Sequence, residues 1–434
     1  MTLSSPVAAH ETLHTCSDGF PLEDRLLVHC ARGEISPIIA CQTREMIHSG
    51  PNWEYVVGQC LRHRVAPLAY HILRRFRGEG VPEDVLEKLR DYQHITVLRN
   101  MAIYAELRSM LGSMDDAGIL VICLKGVALA QTVYRSLSLR PMVDMDILVK
   151  QADADKAHRM LLQCGYRVTY PVITEENTDL VGHLPPYLKP RPGGGMFMLE
   201  VRDDLSSALG ILGGWRMDPD DMWENAIAFD FNGRRAWTLA PEHLILYLSL
   251  HAAKHLYNLS PLMIWWCDIA EAQRRYDGDI DWGFVVETAK RSGVEEYLYQ
   301  SLSFTTGFLD APMPAQYLED LRPSYLLVPL QDVMECIVQG NSDKLHVYGY
   351  NHLSFIVSLR GTQRKIVYLI KNLFPNRVSL LSRYSTAVGD SVWRCLLAHL
   401  SRYIVLGIRS LRQLLKVYLS LSGSAKPKAR KFSS

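Results

Sequence analysis

Hydrophobic and polar positions along the chain change their period several times, and each change marks an expected element. From Leu22 to Arg99 the apolar residues recur at helical spacing, with Leu26, Leu27 and Cys30 in one pair of turns and Val56, Val57, Cys60 and Leu61 in another. Asn52, just before Trp53, suits a helix cap, and a helix led by Pro82 precedes a longer one over Val97 to Ala117 that Gly118 ends. The pattern then becomes continuous. Ile119 to Leu124 is an unbroken apolar run of strand length, as expected of a strand buried on both faces. Val127, Ala130, Val133 and Tyr134 return to helical spacing, which predicts a strand, a turn at Lys125-Gly126 with the glycine at the bend, and a helix.

After Pro141 the segment Met142 to Val149 alternates, with Val143, Met145 and Ile147 on one face and Asp144 and Asp146 on the other. Asp153 opens a helix with Ala157, Met160, Leu161 and Cys164 on one side, Gly165 stops it, and Tyr166 to Tyr170 suits a returning strand. Five prolines and three consecutive glycines between Pro171 and Gly195 read as a mobile loop. Met196 to Arg202 is the next strand, with Glu200 and Arg202 on one face, and Arg235 to Leu239 is another. Pro241-Glu242 then opens a helical stretch reaching about Phe308, whose first helix carries Leu244, Leu248, His251, Ala252 and His255 in one stripe. Beyond Pro323 the pattern predicts a helix over Val333 to Val338, a turn at Tyr348 to Tyr350, a break at Leu373-Phe374-Pro375 and a long helix from Trp393 to Leu421.

Two carboxylates so close on a sheet otherwise built for burial repel each other, and each costs several kcal/mol to desolvate. A divalent cation removes the conflict, and Mg²⁺ suits paired carboxylates that share it with a substrate's phosphates. The ordered set Leu124-Lys125-Gly126, Tyr134, Arg140 and Asp144-Met145-Asp146, followed by His251-Ala252-Ala253-Lys254-His255, Asp268-Ile269-Ala270 and Asp281-Trp282, resembles a bacterial nucleotidyltransferase family of the polymerase-beta-like superfamily. The resemblance runs from about Trp53 onward. It implies an α+β fold, with a small mixed-sheet nucleotidyltransferase core between helical N-terminal and C-terminal domains.

It also implies roles. Asp144, Asp146 and Glu200 would be the catalytic carboxylates and would hold one or two Mg²⁺ ions, with Glu200 as the third acid from a neighbouring strand. Lys125, Gly126, Arg140 and Lys254 would contact the phosphates of a nucleoside triphosphate, and Arg140 has a second reading as a group that orients Asp144. Where the family commonly continues Leu-His-Trp after the third acid, this chain has Val201-Arg202-Asp203. Arg202, His251 and His255 are candidates for the acceptor side. His251 and His255 also stand at zinc-ligand spacing, with a purely structural role as the other reading.

The boundaries expected are 1–20 as a disordered start, 21–100 helical, 101–240 the core, 241–320 a helical second wall of the cleft, 321–421 a basic helical region and 422–434 a disordered basic tail. Net charge is +1, but fifteen Lys/Arg and one acidic residue lie from Arg360 onward, leaving 32 basic against 45 acidic residues before it. Such a split suits either packing of the basic end on the acidic remainder, or binding of nucleic acid, an acidic protein or an anionic membrane surface by residues 393–431. Nine scattered cysteines without a Cys-x-x-Cys pair argue for a reducing, cytoplasmic setting, peripheral membrane attachment remaining as an alternative. No run of about 18 apolar residues marks a transmembrane segment. The expected activity is transfer of a nucleoside monophosphate, AMP by default, to an unknown hydroxyl on a protein, peptide, sugar or other small molecule. The alternatives are transfer to RNA or tRNA ends, or a non-catalytic nucleotide-binding scaffold with a degenerate site.

Overall fold

The computed structural model of the 434-residue chain describes residues 19–168, 184, 186–205, 217–257, 261–323, 330–340 and 391–401. These divide into two units, one of residues 19–323 with 333–340 and one of residues 330–332 with 391–401. The first opens with α1 (Leu22–Cys30), α2 (Pro37–His48), α3 (Trp53–Arg62) and α4 (Ala66–Leu73). Polar caps set two of the starts: Ser36 Oγ accepts from the Ile39 amide at 3.3 Å, and Asn52 Oδ1 from the Tyr55 amide at 3.1 Å. Next, α5 (Glu83–Asp116) runs 34 residues without a break, about 51 Å at the usual rise. The two helices expected here are one because neither proline nor glycine interrupts the chain between Glu83 and Leu111.

A seven-stranded sheet follows, ordered β3-β4-β5-β2-β1-β7-β6. Its strands are β1 (Val121–Leu124), β2 (Met145–Val149), β3 (Arg167–Val168), β4 (Tyr187–Pro190), β5 (Met196–Arg202), β6 (Ile227–Phe231) and β7 (Arg234–Thr238). The sheet is mixed: β1 runs antiparallel to β2 and parallel to β7, and β2 runs parallel to β5. Among the helices between strands, α6 (Lys125–Thr132) comes directly after β1 and α7 (Ala154–Gln163) after β2. One face of the sheet presents Val121, Cys123, Met145, Ile147, Val149, Leu199 and Val201 to a core shared with Tyr104, Leu107 and Met114 of α5, Val127 of α6 and Leu161 of α7. The alternation read from the sequence therefore points the apolar set inward, and Asp146 and Glu200 to the opposite face.

Three details differ from the sequence reading. β2 begins at Met145, so Asp144 sits in the bend before it and Val143 is exposed instead of joining Met145 and Ile147. The segment expected as a loop up to Gly195 holds β4, between β3 and β5; Pro190 is tolerated because it is the strand's last residue, where a missing N–H costs least. Residues 169–183 of that segment lie outside the described residues. β6 and β7 form a hairpin around Asn232-Gly233, both at positive φ (51° and 80°), the turn chemistry that such a dipeptide favours.

The remaining elements are helices: α8 (Pro219–Glu224), α9 (Pro241–Tyr257), α10 (Ile264–Arg275), α11 (Trp282–Ser292), α12 (Glu295–Phe308), α13 (Ala315–Leu321) and α14 (Leu330–Gln339), the last belonging to this unit from Val333 on. Asp281 caps α11 through the Phe284 amide at 2.9 Å. The regions expected as 21–100, 101–240 and 241–320 pack as parts of this unit. Polar links join them: Arg32 to Asp310 at 2.9 Å, the Gly33 amide to Glu271 at 2.9 Å and, buried, the Met263 amide to His63 Nδ1 at 3.2 Å. In the second unit residues 392–401 are helical, with Cys395 and His399 buried. The readings at 348–350, 373–375 and 402–434 lie outside the described residues. No helix among the described residues is long and apolar enough to cross a membrane.

Candidate functional site

The register of the sheet brings the acidic residues together. Asp146 pairs with Glu200 across the parallel β2–β5 ladder, so their side chains leave the same face side by side. Arg202, two residues on, shares that face, and Asp144 stands two residues before Asp146. The bend after β1 supplies the counter-charge. Lys125 Nζ donates to Asp146 Oδ1 at 2.7 Å, and Arg202 Nη2 lies 2.7 Å from Glu200 Oε2 and 3.5 Å from Asp146 Oδ1.

Burial and charge set different states for the three acids. Burial works to raise Asp146, but Lys125 and Arg202 overcome it and hold the carboxyl below its ordinary range. Asp144 is pushed up to about 6, by burial first and then by the charge of Asp146. It forms no hydrogen bond or ion pair among the described residues. Glu200 is also raised, by burial and then by Asp146. Burial alone would lower Lys125; Asp146 reverses that and keeps the ammonium charged. The site thus keeps one firmly ionised carboxylate, already neutralised from within, beside two acids that resist ionising.

That arrangement bears on a metal. No group of three or more His, Cys, Asp or Glu side chains is gathered to hold an ion among the described residues, because Lys125 and Arg202 occupy the space beside Asp146 and Glu200. The donor chemistry nevertheless fits a hard divalent cation. Asp144 makes no hydrogen bond or ion pair among the described residues and resists ionising because of burial and the like charge of Asp146, a conflict that such an ion removes. Binding one requires the long side chain of Lys125 to leave Asp146.

The bend is built differently from the sequence reading. Lys125, not Gly126, carries the left-handed backbone, with φ 47°. Gly126 is needed for space instead: a Cβ there would stand 2.9 Å from Met142 Cγ and 3.6 Å from Arg140 Nη1. Arg140 is not available to a phosphate. Its Nε and Nη2 bind the two oxygens of Asp268 at 2.7 and 2.6 Å, its Nη1 donates to the Pro141 carbonyl, and Tyr134 Oη donates to Asp268 at 2.9 Å. Three motif residues far apart in sequence, Tyr134, Arg140 and Asp268, are one buried brace between the segment before β2 and α10. Asn100 of α5 completes it by donating to the carbonyls of Leu137 and Arg140 at 2.7 and 2.8 Å.

On α9, Lys254 faces the same carboxylates, and burial followed by Arg202 and Lys125 lowers it to about 8. His255 is lowered to about 3 by burial and then Lys254, so its ring is neutral at pH 7. It stacks on Trp265 at 3.9 Å, with His251 4.6 Å away edge-on. No third His, Cys, Asp or Glu joins this edge-on pair among the described residues, so a zinc site is not assembled there. Trp265 is half-buried at this wall, whereas Trp266 and Trp282 are core. Sequence reasoning missed two groups here. Arg64, at φ 60°, senses both Asp144 and Arg140, and Tyr247 lies one helical turn before His251. The left-handed backbone of Arg64 has no sequence signal, but Tyr247 falls on the same stripe as His251 and His255.

An acid pair in register on adjacent strands, beside a lysine bend, on a mixed sheet flanked by helices defines a chain of the nucleotidyltransferase class. Residues 49–310, more than half of the chain, match the family described as uncharacterised nucleotidyltransferase, and the chain belongs to that family. No curated protein matches. Among solved structures it is similar to the crystal structure of an antigenic nucleotidyltransferase-like protein from Paracoccidioides brasiliensis, at 15% identity over 45% of this chain and 92% of that one, with a TM-score of 0.29.

Proposed function

We propose that this nucleotidyltransferase moves a nucleoside monophosphate, AMP by default, from a nucleoside triphosphate to a hydroxyl group of a protein, peptide, sugar or other small molecule. The observation that carries this reading is the pairing of Asp146 with Glu200 across β2 and β5, with Asp144 unpartnered two residues before. Asp144 and Asp146, with Glu200 beside them, would hold Mg²⁺, which when bound supplies positive charge against the phosphoryl oxygens. The acceptor oxygen forms a bond to the α-phosphorus, the bond from that phosphorus to pyrophosphate breaks, and the hydroxyl proton passes to a base. Glu200 is suited to take it, since burial has already made its carboxyl more basic than usual. Lys125, once released from Asp146, and Lys254 on the facing helix would neutralise the departing pyrophosphate. Arg140 and Asp268 keep the entry to β2 in place.

A second reading has its own observation. Lys125 and Arg202 already neutralise Asp146, which is what a nucleotide-binding scaffold without a metal would need. One experiment separates the two. Each α-labelled NTP is incubated with the protein, Mg²⁺ and host lysate, and the label is followed into protein, RNA and small molecules, with Asp144→Asn and Asp146→Asn as controls. Transfer by the wild type that both variants lose supports catalysis. Nucleotide binding unchanged by Mg²⁺ or by either variant leaves the scaffold.

A further inference from the structure

Tyr247 has no part in the reading above, yet it is the most unusual polar group near the site. It lies on α9 and is 1% exposed, and its hydroxyl has no hydrogen-bond partner among the described residues. A phenol hydroxyl in a dry interior normally finds a partner, because one left unmade carries the full desolvation cost. The ring is held in place by His251, which stacks on it at 6.2 Å and 27°. What the hydroxyl faces decides what it is for. Lys125, Arg202, Asp146 and Glu200 are the charged groups that act on it, and it acts in turn on Lys125 and Arg202.

A donor without an acceptor, set among cations of which Lys125 is tied only to an internal carboxylate, calls for an anionic oxygen from outside. A neutral hydroxyl ligand would satisfy Tyr247 and leave the lysine as it was. A phosphate satisfies both, and it can reach the site when the flexible Lys125 side chain turns from Asp146. We propose that Tyr247 Oη donates a hydrogen bond to a phosphoryl oxygen of a bound polyphosphate, between Lys125 and Arg202. The nucleotide attached to that polyphosphate rests on the reading in the preceding subsection; the anion-binding role of Tyr247 does not.

The test is Tyr247→Phe, which removes one oxygen and keeps the ring. Ligand-free thermal unfolding is measured together with calorimetric titration of Mg²⁺ with inorganic tripolyphosphate and, separately, with each NTP. The variant unfolds at the same temperature as the wild type or a higher one, since no hydrogen bond is lost, and binds tripolyphosphate and the preferred NTP about tenfold more weakly. A ligand-free unfolding temperature several degrees lower, or unchanged affinity for both ligands, overturns the proposal. Should the wild type bind tripolyphosphate as tightly as any NTP, with the variant weaker, Tyr247 keeps its role and the nucleotidyl reading falls. Tight NTP binding that is equal in both proteins does the reverse. Binding of neither ligand by the wild type refutes both.

Discussion

Replacing Asp268 with Asn probes how the helical part of the chain holds the site. In the wild type both carboxylate oxygens bind the Arg140 guanidinium, at 2.7 and 2.6 Å, and one also accepts from Tyr134 at 2.9 Å. The Arg140 and Asp268 side chains are 8% and 2% exposed, so water cannot replace a lost partner. Asn keeps the shape and one acceptor but leaves the guanidinium charge uncompensated in a dry interior, a change that costs ~3–5 kcal/mol when a buried pair is broken from one side. At ~2 °C per kcal/mol for a unit of this size, unfolding should shift down by roughly 6–10 °C. Differential scanning calorimetry measures it. The companion variant is Arg140→Met with Asp268→Leu, which removes both charges and should recover at least half of the loss. A single-variant cost under ~1 kcal/mol, or a double variant worse than the single one, refutes the claim that this pair is a buried brace. If Arg140 served a phosphate instead, Asp268→Asn would free it and strengthen triphosphate binding; the brace predicts no gain.

The remaining predictions concern single groups around the carboxylates. Asp144→Asn should stabilise the metal-free protein at neutral pH. The folded Asp144 titrates near 6 against an ordinary value of 3.8, so its charged form costs stability above pH 6 and nothing below about 4. The advantage of the variant should therefore grow as pH rises between those values, and pH-dependent melting that shows no such trend would count against the buried, like-charged setting. Lys254→Met should also stabilise the ligand-free protein at pH 7. With its folded pKa lowered to about 8 from 10.5, the charged amine opposes folding below pH 8 and ceases to matter above 10.5, and the same change should weaken triphosphate binding in a titration. Gly126→Ala puts a Cβ against a flexible methionine rather than backbone, so it should cost no more than ~1–3 kcal/mol in chemical denaturation. A loss of nucleotide affinity without loss of stability would instead return Gly126 to the role of a phosphate contact.

Much of the site was legible before the fold. The alternation of Met145, Asp146 and Ile147 and the place of Glu200 on its strand follow from a two-residue period, which needs no tertiary information, although Asp144 lies in the bend before that strand. Arg140 was not legible. A guanidinium beside two aspartates reads equally as a phosphate ligand or an ion-pair partner, and only the position of Asp268, 128 residues later, decides between them. β4 was hidden because prolines flanking a short strand look like a loop, and Tyr247 because a tyrosine on an apolar stripe reads as core.

By itself the sequence determined the periods: most of the helices and strands around the site, which face of each is apolar, and that an acid pair lies opposite a lysine bend. These are local properties of backbone geometry and side-chain chemistry. Only the tertiary structure decided which charges meet, because ion pairs such as Lys125 with Asp146 and Arg140 with Asp268 depend on strand register and helix packing between distant segments. That pairing sets how strongly each carboxyl resists ionising, and so which of them stands ready for a ligand.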